Sequence, residues 1–162
     1  MKINGKDIPK QGIETIVFPR PNGDIVFRAK PVTNFDDFVK LCPMPLPTEK
    51  MIPGGQKVID VEHPDYKNAL KVWAGKKSNW MLIQSLSATE GLTWDSINLS
   101  DSSTWDNFGK ELETCGLSQL ELTKLFEIIS VACGLTQDKI DEATKRFLAG
   151  QVALKKSHNT RL

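Results

Sequence analysis

The sequence predicts an α+β protein that is predominantly helical, and three observations support this fold class. A segment near the N-terminus is rich in β-branched and aromatic residues and contains a turn signal, which is typical of a β-hairpin. A proline-rich stretch follows it, and beyond that stretch apolar residues recur at helical spacing in about four segments. We therefore expect a single domain over 1–150, with a hairpin region (1–33), a connector (42–63) and a helical core (64–150), followed by a mobile C-terminal tail at 151–162.

The predicted hairpin lies within residues 13–30, with strands at 15–18 and 24–29. The segment between the strands contains Asn22-Gly23, which supplies the positive φ that a tight reversal needs. Because a lone hairpin is only marginally stable in water, this one should gain support from elsewhere. It could pack on the helices, add a third strand from residues 2–4, or pair with another chain.

The connector contains Pro43, Pro45, Pro47 and Pro53, which exclude a regular helix and a central strand. A short helix at 35–41, capped by Asn34, is expected just before it. Long connectors inside a compact domain are usually functional or disordered. The connector also carries apolar side chains, so part of it should lie against its own domain or against a partner.

Four helices are expected after the connector. Pro64 suits the first position of a helix that ends between residues 86 and 90. Ser103 is expected to cap the second helix, and Ser118 with Glu121 predicts a capping box at the start of the third. Thr136 is expected to cap the last one, which stops near residue 150.

The four tryptophans are the most conspicuous candidates for packing or partner contact. Trp73, Trp80 and Trp105 lie on apolar helical stripes, so we expect them in the core. Trp94 falls in a polar loop, where it would either cap the helical core or anchor a partner, since tryptophan is enriched at interface hot spots. The candidate partner-binding residues are therefore Trp94, Met44, Leu46, Met51 and Ile52.

No catalytic, cofactor-binding or metal-binding constellation is evident, so we expect a protein that is not an enzyme and has no cofactor. The two histidines, His63 and His158, are placed in the connector and the tail, and no nucleophile elbow or zinc-protease motif occurs. The three cysteines, Cys42, Cys115 and Cys133, form no CxxC pair. They predict neither a disulfide framework nor a zinc site, and Cys115 and Cys133 are expected to be small buried hydrophobes.

The charge balance also restricts the class of partner. Lysine and arginine number 21 against 20 acidic residues, for a net charge of +1. Binding to nucleic acid or to a membrane surface would need a concentrated cationic face, so neither partner is expected. The sequence shows neither a signal peptide nor a membrane-spanning stretch, which favours a soluble protein in a reducing cytoplasm.

The order of several segments resembles a known family. The segments are FRAKPVTNFDDF, a proline-rich stretch that ends in PGG, HPDYKNAL, NWMLIQSLSATEGLTWDSINLSDSSTW and a helix pair that ends in RFLAG. Across residues 25–150 this order is similar to that of the small tail assembly chaperones of long-tailed, siphovirus-like bacteriophages.

The resemblance implies a protein made in the host cell cytoplasm that binds the tape measure protein, keeps it soluble and recruits tail-tube protein. It further implies absence from the mature virion and a tendency to form homo-oligomers. Many members of the family also have a longer frameshifted form, and Lys155-Lys156 could be encoded by a slippery run, although ordinary tail lysines are the favoured interpretation. Two other interpretations stay open at this point: a structural virion protein of the neck or tail, and a phage-encoded modulator of a host protein.

Overall fold

The computed structural model describes residues 2–7, 12–134 and Lys145. Within these residues it confirms the mixed α+β class but not the expectation of a predominantly helical chain with one hairpin, because strands occur at three places rather than one. The strands form three two-stranded antiparallel sheets: β1 (Lys2–Ile3) with β2 (Lys6–Asp7), β3 (Glu14–Phe18) with β4 (Ile25–Ala29), and β5 (Thr48–Met51) with β6 (Lys57–Asp60). The helices are α1 (Asp36–Leu41), α2 (Pro64–Leu86), α3 (Phe108–Thr114) and α4 (Gln119–Ala132), and a 3₁₀ turn covers Trp105–Asn107.

The predicted N-terminal hairpin is confirmed as β3–β4. Gly23 has a φ of 121°, and its N–H donates to the Arg20 carbonyl at 3.2 Å, which closes the turn. The register alternates side chains between the two faces of the ribbon, so that one face is apolar and more deeply covered. The apolar residues of that face are Ile16, Phe18, Ile25, Phe27 and Ala29, and Glu14 lies at its end opposite Ala29.

The hairpin is supported by helices, which was one of the three expected arrangements. Strand β3 contacts α4, and β4 contacts both α2 and α4. The alternative of a third strand from residues 2–4 does not occur, because β1 pairs with β2 instead. Asn4 and Gly5, with φ angles of 52° and 75°, turn the chain straight back on itself.

Ser85 near the end of α2 and Thr89 just after that helix form hydrogen bonds with the outer edge of β4 and with Lys30, the residue that follows it. Ser85 Oγ donates to the Lys30 carbonyl at 2.8 Å, and the Lys30 N–H donates to the Ser85 carbonyl at 3.0 Å. The Thr89 hydroxyl accepts from the Arg28 N–H at 2.9 Å and donates to the Arg28 carbonyl at 3.0 Å. These polar groups satisfy an edge that would otherwise be open to another strand.

Helix α2 begins and ends where the sequence predicts. Pro64 is its first residue, and His63 Nδ1 accepts from the Asp65 N–H at 3.2 Å. The last residue is Leu86, within the expected window. Helix α1 begins one residue later than expected, so Phe35 rather than Asn34 is its N-cap residue and makes no side-chain capping bond, although Asn34 Oδ1 accepts from the Asp36 N–H at 2.6 Å.

An aromatic cluster around Phe38 forms the centre of the core. The Phe38 ring centroid lies 5.4, 5.8 and 5.7 Å from those of Trp73, Trp80 and Trp105. Trp80 and Trp105 are buried as expected, whereas Trp73 is only half-buried. The Trp73 indole N–H donates to the Cys42 carbonyl at 2.9 Å, so its polar edge joins α2 to the end of α1.

The capping prediction succeeds for α4 and fails before α3. Ser118 Oγ accepts from the Glu121 N–H at 3.3 Å, and Glu121 Oε2 accepts from the Ser118 N–H at 2.8 Å, which completes the capping box. The Ser103 hydroxyl instead donates to Asp101 Oδ1 at 2.7 Å. Because Ser103 is engaged in this local turn, it does not cap, and the chain enters α3 through the 3₁₀ turn.

The connector is not irregular throughout, because it contains the β5–β6 hairpin. The turn is made by Gly54 and Gly55, with φ angles of 103° and 79°, and the Ile52 N–H donates to the Gln56 carbonyl at 3.0 Å. Pro53 lies in the turn and the other three connector prolines precede β5, so no proline removes a donor from the strand pair. The helix expected from Thr136 and the tail at 151–162 fall outside the described residues, apart from Lys145.

Candidate partner-binding surfaces

One face of the β5–β6 hairpin is exposed and carries two apolar side chains. Glu49 is paired with Ile59 and Met51 with Lys57, and residues directly opposite one another point to the same face. Met51 and Ile59 are each 66% exposed and lie on a diagonal of this face. Lys57 Nζ and Glu49 Oε2 occupy the other diagonal as an ion pair at 3.0 Å. The result is a small apolar surface bordered by one charge of each sign.

The opposite face of the hairpin is more covered and holds the two strands together. Lys50 Nζ pairs with Asp60 Oδ2 at 3.2 Å, and the Thr48 hydroxyl donates to the Asp60 carbonyl at 3.4 Å. The Lys50 ammonium is the main reason that the pKa of Asp60 is lowered from its ordinary value. Val58 shares this face and is half-buried. The hairpin is therefore a defined element that can present its outer face.

Further exposed apolar side chains lie on either side of the hairpin. Leu46 is 88% exposed, and Met44 and Val61 are 53% and 52% exposed. We call the exposed apolar residues of this segment the connector surface, which comprises Met44, Leu46, Met51, Ile59 and Val61. Exposed apolar groups concentrated on one segment indicate contact with another molecule more often than scattered ones do.

The structure divides the predicted partner-binding residues of the connector. Met44, Leu46 and Met51 are exposed, whereas Ile52 is half-buried within the turn. Sequence reasoning missed Ile59 and Val61. The run from Lys57 to Val61 contains three β-branched residues and is a usable strand signal, which the nearby prolines obscured.

Trp94 lies elsewhere, in the loop between α2 and the 3₁₀ turn, and packs on the core. It is half-buried, and its ring centroid lies 5.6 Å from that of Phe108. Trp94 forms one wall of a groove of about 200 Å³, which we call the Trp94 groove. The groove is lined by Phe27, Leu92, Thr93, Trp94, Asp95, Glu111, Leu112, Thr114 and Cys115.

Glu111 organises the polar side of the Trp94 groove. Its carboxylate accepts from the Asp95 N–H at 3.1 Å and from both the N–H and the hydroxyl of Ser96 at 2.5 Å. Burial opposes the ionised form of Glu111, but these three hydrogen bonds outweigh it and lower the pKa of the carboxyl. The groove therefore has a fixed negative charge beside its apolar wall.

The prediction that Cys115 is buried is wrong, because this residue is exposed at the edge of the Trp94 groove. It follows the last helical residue of α3, and its Sγ approaches the Leu112 carbonyl at 2.9 Å. The apolar stripe of α3 ends one turn earlier, at the buried Leu112. Cys133, also expected to be buried, is half-buried, as is Cys42.

A second groove, of about 310 Å³, lies where α1 and α2 meet the loop before the 3₁₀ turn. It is lined by Asp37, Lys40, Leu41, Trp80, Gln84, Leu99 and Ser100. Neither groove includes a residue of the connector surface, so the structure does not bring Trp94 and the predicted connector residues into one site.

The described residues were also searched for metal-binding groups and for membrane-spanning helices. Within residues 2–7 and 12–134, no group of three histidine, cysteine or acidic side chains is placed to hold a metal ion. The same ranges contain no helix with the length and apolar character needed to cross a lipid bilayer.

Comparisons with known proteins identified no relative of this chain. No protein-family model matches the chain, and neither the curated proteins nor the solved structures contain a match.

Proposed function

We propose that this protein is a tail assembly chaperone of a long-tailed bacteriophage. In this role it binds the tape measure protein and tail-tube protein in the host cell cytoplasm and is absent from the mature virion. The sequence resemblance supports the family, and the exposed connector surface is the single structural observation that favours a binding role. The role requires no catalytic group.

The connector surface has the properties that a holding protein needs. Met51 and Ile59 offer apolar contact to an unassembled chain, and methionine adapts to differently shaped partners. Lys50 and Lys57 lie on the two strands of the hairpin, where charged side chains discourage pairing with another strand. Such a surface can bind a partner without driving its own aggregation.

Co-expression with the tape measure protein of the same phage tests the proposal. The wild-type chain should raise the soluble fraction of the tape measure protein and co-purify with it. The double variant Met51→Gln, Ile59→Thr removes apolar contact but keeps a β-branched residue at position 59, and it should lose both effects.

A matched control removes equally exposed apolar groups elsewhere. Val72 and Leu120 are 52% and 71% exposed on α2 and α4, so Val72→Gln, Leu120→Gln should leave solubilisation unchanged. The proposal fails if the wild-type chain neither solubilises nor binds the tape measure protein. If the control pair loses activity as completely as the hairpin pair, the connector surface is not the binding site.

A structural virion protein is the second candidate, and the sheet topology favours it. Every sheet in the described part of the chain has only two strands, so the outer edge of β3 pairs with no other strand there and is an edge that a neighbouring subunit could extend. Mass spectrometry of purified virions separates the two candidates. Stoichiometric presence in the virion supports the structural protein, and absence supports the chaperone.

A further inference from the structure

The Trp94 groove has the size of a site for one side chain. Its volume of about 200 Å³ is smaller than the ~300–1,000 Å³ of sites that enclose drug-sized ligands or cofactors. Its apolar lining is contributed by Phe27, Leu92, Trp94 and Leu112. A single large apolar side chain fits such a groove, as the anchor residue of a protein interface does.

The groove is also fixed before any partner arrives. The Trp94 ring packs against the buried Phe108, and Glu111 ties down the backbone at Asp95 and Ser96. A wall that is already ordered loses little conformational entropy when a partner binds, which favours affinity.

The charges at the groove have one sign. Asp95 and Glu111 are in the lining, and no lysine, arginine or histidine is among the lining residues. The Asp95 carboxylate forms no hydrogen bond or ion pair with any residue of 2–7 or 12–134. An occupant that brings a cation next to its apolar side chain would gain favourable electrostatic contact, whereas an acidic one would be repelled.

We propose that the Trp94 groove binds a segment of a partner protein that presents one apolar side chain flanked by lysine or arginine. This site is separate from the connector surface and does not depend on the proposed chaperone function. A negative result in the tape measure experiment therefore does not contradict the proposed Trp94 groove site. A negative result in the peptide experiments does not contradict the chaperone function.

Three fluorescently labelled synthetic peptides test the charge preference. They share a central leucine and differ only in the two flanking positions, which are lysine, serine or glutamate. Binding to the full chain is followed by fluorescence anisotropy. The lysine peptide should bind most tightly and the glutamate peptide most weakly, with the difference shrinking as salt is added. Equal binding of the lysine and glutamate peptides overturns the proposal.

Asp95→Asn tests the role of the exposed carboxylate. It should weaken binding of the lysine peptide about two- to five-fold, as expected for one exposed ion pair, and leave binding of the serine peptide unchanged. Asp24→Asn removes one negative charge from the β3–β4 turn, outside the groove lining, and should change the affinity for neither peptide. If both variants have the same effect, only the net charge matters and the site assignment is wrong.

Cys115 provides a variant pair that tests the location. Cys115→Phe places a large ring at the groove edge and should abolish peptide binding, while Cys115→Ser should preserve it. Circular dichroism of both variants should match that of the wild type, which checks that they are folded. Undiminished binding to the folded phenylalanine variant overturns the location.

Other occupants are separate outcomes of the same assay. A peptide of residues 151–162, QVALKKSHNTRL, contains a leucine followed by two lysines. If it binds more tightly than the lysine probe and competes with it, the groove belongs to this chain's own sequence rather than to a partner. A dimer in solution that Cys115→Phe dissociates assigns the groove to a second copy and likewise overturns the proposal.

Discussion

Arg20 and Glu121, 101 positions apart in the chain, form a two-bond ion pair. Arg20 Nη1 donates to Glu121 Oε1 at 2.6 Å, and Nη2 donates to Oε2 at 2.9 Å. The pair joins the turn of the β3–β4 hairpin to the first turn of α4. Glu121 Oε2 also accepts the Ser118 N–H, so one carboxylate serves both the tertiary contact and the capping box.

The Arg20–Glu121 pair should make stability fall in acid. Hydrogen bonds from Arg20, followed by the Ser118 N–H, lower the pKa of Glu121 from 4.5 to about 2. The folded state therefore favours the ionised carboxylate, and its stabilising effect is fully present above pH 4.5 and is lost as the pH falls from 4.5 towards 2. Urea unfolding of the wild type and Glu121→Gln should show a stability difference that is constant above pH 5 and shrinks below it, as linkage of a single carboxylate requires.

Glu113→Gln is the matched control for the acid titration. Glu113 is exposed on α3 and forms no hydrogen bond or ion pair within the described part of the chain. Its substitution should leave the pH dependence of the wild type in place. A Glu121→Gln protein that loses stability in acid as steeply as the wild type would show that the Arg20 pair is not the cause.

The capping box should contribute to the stability of α4 on its own. Ser118→Ala removes the acceptor of the Glu121 N–H and should lower the free energy of unfolding by about 1 kcal/mol. Ser118→Asp keeps an acceptor at the N-cap and should recover most of the loss. Chemical denaturation at neutral pH measures both, and equal stability of the alanine variant and the wild type would mean that the N-terminus of α4 frays without consequence.

The two contacts of Glu121 were not equally predictable from the sequence. The capping box was predictable, because Ser118 and Glu121 lie three residues apart and the local pattern specifies both hydrogen bonds. The ion pair with Arg20 was not predictable, because no local pattern shows which helix the hairpin turn will approach. The same limit explains Thr89, whose hydroxyl bonds to Arg28 across a sequence separation of 61 residues.

The candidate surfaces show a similar division. The exposed connector residues were identified because apolar side chains stood among prolines, where packing was hard to explain. The hairpin that presents Met51 was missed, since four prolines masked the β-branched run of β6. Trp94 was identified as an unusual loop residue, but its groove depends on Phe27 and Leu112, which come from two other elements.

Ser85 should be one of the more sensitive polar positions in the protein. It is fully buried, and its hydroxyl is hydrogen-bonded to the Lys30 carbonyl. Ser85→Ala leaves that carbonyl without this partner and should lower the free energy of unfolding by about 1–3 kcal/mol. Ser87→Ala, at an exposed residue whose hydroxyl bonds only to the Gln84 carbonyl, should stay within about 0.5 kcal/mol of the wild type. Similar losses for the two variants would mean that the buried hydrogen bond of the Ser85 hydroxyl contributes no more to stability than the exposed one of Ser87 does.

Trp94 contributes to the fold as well as to the groove, so its substitution should have two separable effects. Trp94→Ala removes a half-buried ring and its contact with Phe108, and the loss should be about 2 kcal/mol, below that of a fully buried tryptophan. Trp94→Phe keeps an aromatic wall and should restore part of the stability. Thermal and urea denaturation give the stabilities, and peptide anisotropy on the folded variants gives the binding. A Trp94→Ala protein as stable as the wild type would remove this ring from the core and leave it solely as a surface group.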